Sequence, residues 1–461
     1  MRIRIVVAYV PRYRQGHRWH FVPPVTGVHL AAITPPEHQV EVVHEQVRPV
    51  PIRADVDVVA LSFFSGFAER AYEIADAYRA LGVTVVAGGP HVSYWSDEAL
   101  AHVDAVVMGE AEDAWPALLA DLERGTLKSI YKGGEPSLKG LPTPRYELLE
   151  PTFLVPRVLQ ATRGCPFSCR FCSVPDLNPG FRVRPIDEVL RDVEAPVHPA
   201  GFAAGMRAKV AWFWDDNLLV KRRWAKDLLR GMRGMDRWWL TQASIDIVRD
   251  RELLDLMEVS GCAGIFLGIE AFDAEALESV DKRQNRIDAY RDAVARLHDR
   301  GICVMAGFIS GFDNQTPADI VRVADRLQEL EFDVPFLSIL TPFRGTPLYD
   351  DLLREGRILE DRGWEHYNGY NVAFRPARMS PEALLSAHRA LWDRAFSPRY
   401  VAGRTTRALR QLNAGGRMLS LAMNGFYGRK RIVGNRPRVA KAGAPVAHPA
   451  PHEKLVRLRR A

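Results

Sequence analysis

Three of the chain's five cysteines fall in one short stretch, at Cys165, Cys169 and Cys172. This C-x3-C-x2-C spacing constrains the fold more than any other feature, because the backbone around it must close on a shared ligand. Thiolates are soft and suit iron–sulfur clusters or zinc. A [4Fe–4S] cluster normally takes four cysteines, so three close ones leave one iron for a small molecule. A structural zinc site needs four closed ligands. The fourth would have to be Cys262, Cys303 or a distant histidine. Gly164 and Pro166 suit a tight loop, and Phe171 gives an aromatic wall just before the last cysteine. Cys262 and Cys303 read as core residues. Five cysteines in 461 residues, three of them clustered, are no disulfide framework and imply a reducing cytoplasm.

Around this loop the chain alternates strands and helices twice. In residues 1–130 strands are expected at 3–10, 40–44, 56–62, 83–88 and 105–108, with helices at 26–33, 69–81 and 111–123. Such alternation predicts a doubly wound parallel α/β sheet, which binds ligands beyond the carboxyl ends of its strands. Ser62, Gly88, Gly89, His91 and Glu110 stand at those ends, although ordinary strand-to-helix turns use the same residue types. His17 and His20 read as surface or lid residues. Residues 131–156, rich in Gly and Pro, form the expected linker.

The second alternation runs from 157 to 345. Strands are expected at 158–161, 209–214, 238–245, 263–269, 304–310 and 336–340. The first delivers the cysteine loop. The others end in Asp215-Asp216-Asn217, Gln242 and Ser244, Glu270, Gly311 and Arg344. Asp215 and Asp216 could hold an ammonium group or cap a helix. Asp250 is the expected N-cap of a helix over 250–260, and the charged run 281–285 reads as a solvated face. Residues 346–402 form a helical segment with helices at 352–360 and 382–396, the latter capped by Ser380 with Pro381 in its first turn. Trp364, His366, Tyr367, Tyr370 and Trp392 are close enough to wall a pocket, though aromatics are more often core.

The net charge of +6 hides an asymmetry. From Arg404 to the end there are 14 Lys or Arg against one acid, Glu453, so this +13 segment leaves the preceding 403 residues at −7. Residues 404–435 could form a basic amphipathic helix on an anionic membrane face, or equally pack on the second domain or meet an acidic partner. Beyond 435 the composition reads as disordered. Basic charge admits nucleic acid, but no RNA-binding module is recognisable. No run is long and apolar enough for a spanning helix.

The stretch Thr162-Arg163-Gly164-Cys165-Pro166-Phe167-Ser168-Cys169-Arg170-Phe171-Cys172 resembles the cluster loop of the radical SAM enzymes. The segments Val-Ala-Gly-Gly-Pro-His (86–91) and Val-Val-Met-Gly-Glu-Ala-Glu (106–112) are similar to the cobalamin-binding domain that precedes many of them. Thr341-Pro342-Phe343-Arg344-Gly345-Thr346-Pro347 is nearly a signature of the cobalamin type. Thr241-Gln242-Ala243-Ser244-Ile245 and Gly268-Ile269-Glu270 point to a subgroup with an extra C-terminal helical domain that includes hopanoid-type methylases. The resemblance implies a Rossmann-like cobalamin domain, a partial (β/α)6 barrel, and the cofactors [4Fe–4S], S-adenosylmethionine and cobalamin. It implies Cys165, Cys169 and Cys172 as cluster ligands and Phe171 near the adenosine. Asp215 and Asp216 would lie at the amino group, Glu270 at the ribose and Gly311 at the adenine. Ser62, Gly88, Gly89, His91 and Glu110 would lie along the corrin. The Asp-x-His-x-x-Gly motif whose histidine ligates cobalt in other cobalamin proteins is replaced by Pro11–His17. The implied reaction is reductive cleavage of S-adenosylmethionine to a 5′-deoxyadenosyl radical, fed by a flavodoxin or ferredoxin. Cobalamin-dependent methylation of an unactivated carbon in a lipid or secondary metabolite would follow. Alternatives are radical cyclisation, oxidation or rearrangement, tRNA modification, and a non-catalytic electron carrier.

Overall fold

A computed structural model describes residues 1–14, 22–201 and 203–433; His17, His20 and the segment beyond 433 lie outside the described residues. The first sheet is β1 (Arg2–Val7), β2 (Gln39–His44), β3 (Val58–Ser62), β4 (Thr84–Gly88), β5 (Ala105–Met108) and β6 (Ile130–Lys132), all parallel, in the order β2-β1-β3-β4-β5-β6. Val58, Ala60 and Val86 face helices Val25–Ala32 and Ala111–Glu123, whereas Val59, Leu61 and Val85 face helix Ala68–Arg79. A sheet covered on both sides needs such near-continuous apolar strands. Strand order reverses between β1 and β3, which opens a crevice at the carboxyl ends.

β5 and helix Ala111–Glu123 lie where the sequence puts them. β6 does not, because it adds an edge strand across the expected boundary at 130. Three residues are too few to show a period. Gly133 follows β6, and a Cβ there would sit 1.7 Å from the Glu110 carbonyl oxygen.

After β7 (Arg157–Leu159) come β8 (Thr162–Gly164) and β9 (Phe181–Val183), which form an antiparallel ribbon of their own. β10 (Val210–Phe213), β11 (Trp238–Ala243), β12 (Cys262–Glu270), β13 (Cys303–Ser310) and β14 (Val334–Ile339) then join β7 in a second parallel sheet with neighbours in chain order. Helices between successive strands cover its outer face, giving an open six-stranded (β/α) barrel. Asp250 caps one of them, Arg251–Val259, by accepting from the Leu253 amide at 3.1 Å. The outward residues Ala211, Phe213, Thr241, Ile265 and Leu267 are buried, and their inward neighbours Trp212, Gln242 and Phe266 are only half-buried. The barrel interior therefore has room. Cys262 and Cys303 are fully buried, as expected.

The helix expected over 352–360 instead spans Pro347–Arg354. The Thr346 hydroxyl accepts from the Tyr349 amide at 3.2 Å and starts it early. Helix Pro381–Ala395 starts on Ser380, as read. Pro398–Gln411 and Ala414–Val433 follow, and the latter packs across the amino-terminal ends of the barrel strands. Leu412, Leu419, Met423 and Tyr427 are buried there, and the Asn413 Nδ2 donates to the Cys262 carbonyl at 3.0 Å. Of the alternatives for the basic segment, the described part takes the packed one. Its apolar face is occupied by the barrel, with Leu409 and Leu421 left exposed. No described helix is long and apolar enough to cross a membrane.

Gly133→Ala should lower the unfolding free energy by about 1–3 kcal/mol, because only backbone movement relieves the clash. Gly134→Ala, which meets nothing within 4 Å, should stay within about 0.5 kcal/mol. Equal denaturation midpoints for the two variants would contradict this packing.

Candidate active site

The cysteine loop leaves and re-enters the fold through the β8–β9 ribbon. Gly164 makes that neck possible. Its φ of +88° suits glycine, and a Cβ would lie 2.1 Å from the Gly180 carbonyl oxygen. Asp215 braces the neck from below. Its carboxylate accepts from the Ala161 amide at 3.0 Å, the Thr162 hydroxyl at 2.6 Å and the Thr162 amide. Burial lifts this carboxyl to about 7 in spite of those donors. Asp216 accepts from the Gly164 amide at 2.9 Å, and burial raises its carboxyl too. The two acids thus shape the loop from behind. Asp215, expected to meet a ligand ammonium, is fully buried and turned away from the barrel interior.

Two amides reach the sulfurs. The Asn217 Nδ2 lies 3.8 Å from the Cys165 Sγ, and the Gln284 Nε2 lies 3.7 Å from the Cys169 Sγ. Asn217 also holds Ser244, donating to its hydroxyl and accepting from its amide, both at 3.2 Å. Burial pushes the Cys172 thiol up to about 12 and raises Cys165 as well. Thiolates this dry need a cationic centre to carry their charge.

In the run 281–285, read from sequence as a solvated face, Arg283 is exposed, but Lys282, Gln284 and Asn285 turn toward the loop. Lys282 pairs with Glu270 at 2.9 Å and lies 5.8 Å from the Phe171 ring. Burial opposes the lysine's charge, but Glu270 and the sulfurs of Cys169 and Cys172 hold its pKa above the ordinary value. Asn285 donates to the carbonyls of Gly268 and Ile269 at 2.8 and 2.9 Å. Glu270 has a φ of +63° at a register shift in β12. Strain of this kind in a non-glycine residue is kept where the geometry is needed. Gly311 lies beneath the C-terminal helices, with its amide donated to the Gln315 Oε1 at 2.7 Å.

The first sheet meets this loop at a buried charge network. Arg163, two residues before Cys165, binds Glu110 and, at 2.7 Å, Glu112. Arg182 of β9 binds Glu110 too, and the His29 Nε2 lies 2.9 Å from Glu112. Burial alone would raise the Glu112 carboxyl, but His29 and Arg163 outweigh it and hold it well below the carboxylate range. Glu110, expected along a cofactor, both anchors the two domains and lines the cleft beside it. Beside it opens a cleft of about 270 Å³ between helix Val25–Ala32 and the carboxyl ends of β3–β5. Ser62, Gly88 and Gly89 line it, as expected, with Leu61, Val86 and Val107 as apolar walls. His91 does not. It is fully buried, with its ring nitrogens 3.0 Å from the Tyr72 and Ser65 hydroxyls and its ring packed on Trp364. Arg344 stacks on Trp95 at 4.1 Å and donates to the Tyr94 carbonyl at 3.2 Å, so it too joins the domains. Trp364 and Tyr367, read as pocket wall or more often core, pack into the first sheet's core.

The two carboxyl edges therefore share one seam, with three thiols on one side and a ligand cleft on the other. Comparison with known proteins gives the class of enzyme that this arrangement belongs to. The Radical SAM superfamily matches residues 159–327, the B12 binding domain residues 28–119, and a domain of unknown function (DUF4070) residues 346–424. Bacteriochlorophyllide d C-12(1)-methyltransferase of Chlorobaculum tepidum is 32% identical over 339 residues, covering 71% of this chain and 72% of that protein. Hopanoid C-2 methylase of Rhodopseudomonas palustris is 28% identical over 357 residues, covering 74% and 66%. In fold, the chain resembles the radical S-adenosylmethionine methyltransferase TsrM of Kitasatospora setae, solved with cobalamin and a [4Fe–4S] cluster bound. The TM-score is 0.65 at 15% identity, over 94% of this chain and 98% of that one. The chain belongs to the cobalamin-dependent radical SAM enzymes. With the family come its cofactors, a [4Fe–4S] cluster, S-adenosylmethionine and cobalamin.

Arg163→Ala should cost about 3–5 kcal/mol in unfolding free energy, because it leaves two buried carboxylates short of a cation. Adding Glu112→Gln should recover part of it. A single variant as stable as the parent would show that the seam does not depend on this network.

Proposed function

We propose that this methylating enzyme holds its cluster on Cys165, Cys169 and Cys172 and transfers a methyl group to an unactivated carbon inside the barrel. Three thiols on one loop, Cys169 buried and Cys165 and Cys172 half-buried, faced by the Asn217 and Gln284 amides, carry the reading. When bound, the cluster and S-adenosylmethionine supply a carbon-centred radical, and cobalamin supplies the methyl group. The protein's own residues position these parts. Gly164 and the Asp215 brace fix the loop. Glu270 and Lys282 form the ion pair nearest the Phe171 wall, and Glu270 stands where a ribose hydroxyl would find an acceptor. The cleft lined by Ser62, Gly88 and Gly89 has the small residues and apolar walls that suit a flat heterocycle of the cobalamin tail. Arg163 keeps cleft and loop in one frame. The electron donor is a small reduced carrier such as a flavodoxin or ferredoxin.

The test is anaerobic protein reconstituted with iron, sulfide and hydroxocobalamin. Stoichiometric cobalamin, formation of 5′-deoxyadenosine from S-adenosylmethionine, and a product heavier by one methylene support the reading. A product that has instead lost hydrogen would point to cyclisation or oxidation. Alanine at Cys165, Cys169 or Cys172 should abolish the cluster's visible absorbance, and retained iron and absorbance would sink the ligand assignment.

Gln284→Leu should leave iron content unchanged and make the cluster's midpoint potential more negative. An N–H donated to a cluster sulfur stabilises the extra electron of the reduced state. Redox titration followed by EPR reads this directly, and an unmoved or more positive potential would argue against the contact.

A further inference from the structure

The two C-terminal helices present an outward face that the barrel does not use. Helix Ala414–Val433 lies across the amino-terminal ends of the strands, and helix Pro398–Gln411 packs beside it. The Arg407 guanidinium donates to the Phe332 carbonyl at 3.2 Å, just before β14, and the Asn413 Nδ2 reaches the start of β12. Both helices therefore sit on the underside, opposite the seam that carries the cysteine loop. Their exposed positions follow the helix period. Thr406, Leu409 and Arg410 lie on one stripe, and Arg417, Leu421 and Gly425 on the other.

This face carries cations without anions. The chain has no acid between Asp393 and Glu453, so neither helix holds one. On helices around the barrel, Arg230, Arg296, Arg322 and Arg326 each pair with an acid one turn away. Arg417 donates to the Leu412 carbonyl at 2.7 Å, and neither it nor Arg410 forms an ion pair among the described residues. The sequence adds Arg429, Lys430 and Arg431, then seven more Lys or Arg against one acid after residue 433. The same face exposes two large apolar side chains, Leu409 at 52% and Leu421 at 42%. Thr406 and Gly425, one turn away from them, are small and leave both leucines free to project.

We infer that this face docks the protein on an anionic phospholipid surface, with its arginines at the lipid phosphates and Leu409 and Leu421 at the acyl boundary. Charge complementarity selects an anionic partner, because each Lys or Arg held near an anionic leaflet adds to binding. The leucines decide which anion. A nucleic acid offers phosphates and bases to stack on, and no aromatic ring stands among the exposed positions of the two helices. A lipid interface offers phosphates above hydrocarbon and so uses both residue types. Docked on its underside, the protein keeps the cofactor seam turned to the aqueous phase. Docking of this kind does not depend on the proposed reaction.

Co-sedimentation of the full-length protein with vesicles tests this. Vesicles of phosphatidylcholine mixed with phosphatidylglycerol should pull the protein down, and phosphatidylcholine alone should not. Added salt should weaken binding, since charge supplies most of it. Arg410→Gln with Arg417→Gln should weaken it about twentyfold, and Leu409→Ser with Leu421→Ser about tenfold. Arg291→Gln with Arg322→Gln removes the same charge from exposed positions on the barrel wall and should leave binding unchanged. All three double variants should keep the parent's melting temperature and cluster absorbance, which separates lost docking from lost folding. Equal binding to both kinds of vesicle, or equal weakening by the barrel-wall pair, would overturn the inference. Unchanged binding in both helix variants would overturn it too, by moving any lipid contact to the residues beyond 433. Polyuridylate serves as the rival anion. Tighter binding to it than to the mixed vesicles, with the leucine pair without effect on either, would make nucleic acid the partner and end the lipid reading.

Discussion

Everything at the seam depends on the buried pairing of Arg163 with Glu110 and Glu112. A network of this kind adds little net stability, since desolvating each charge costs several kcal/mol. What it gives is position. Arg163 is two residues from Cys165, and Glu110 and Glu112 follow β5 directly. The pairing therefore sets the distance between the cysteine loop and the cleft at the end of the first sheet. A hydrophobic contact could hold two domains together, but it would tolerate sliding. A guanidinium shared between two buried carboxylates does not. Arg344 on Trp95 repeats the device at the other end of the seam, with a cation on an aromatic face.

The same logic explains what Asp215 does at its strand end. Asp215 satisfies backbone donors of the Ala161–Thr162 turn, donors that no strand ladder reaches. With that turn held, Gly164 and Gly180 can close the neck, and the three sulfurs are presented by a loop whose base is rigid. The polar residues near the sulfurs then act on a fixed target. Asn217 follows β10, Gln284 lies in the turn after helix Ala274–Ser279, and they approach different cysteines, so the electrostatic environment of the cluster is assembled from parts that are far apart in the chain.

Much of the fold was legible because periodicity and capping are local. β5, the helix after it, and the caps at Asp250 and Ser380 follow from a few neighbouring residues. The C-x3-C-x2-C spacing was legible for the same reason. The rest was hidden for physical reasons. β6, β8 and β9 have three residues each and owe their pairing to the tertiary fold. Glu110 and Arg163 are 53 positions apart, and nothing local marks either as a partner of the other. His91 stood at a strand end like the true cleft residues, but the short helix Pro90–Tyr94 rotates it inward. The block at 281–285 looked solvated because charge runs usually are. A strained turn at Glu270 draws Lys282 into the site instead.

The C-terminal helix shows where the apolar half of an amphipathic pattern goes. Its arginines and lysines suggested a partner of opposite charge. Its apolar positions, however, are used on the underside of the barrel, with Leu419 against Gly264 and Tyr427 under Phe336. An amphipathic helix must cover its apolar stripe, and an open barrel must close its amino-terminal mouth. One contact meets both needs. The same closure makes the barrel a chamber with a floor. Its upper edge is the seam that carries Glu270 and the cysteine loop. Radical chemistry gains from such a layout, because a carbon radical formed in a dry, walled space meets only the groups that the walls hold nearby.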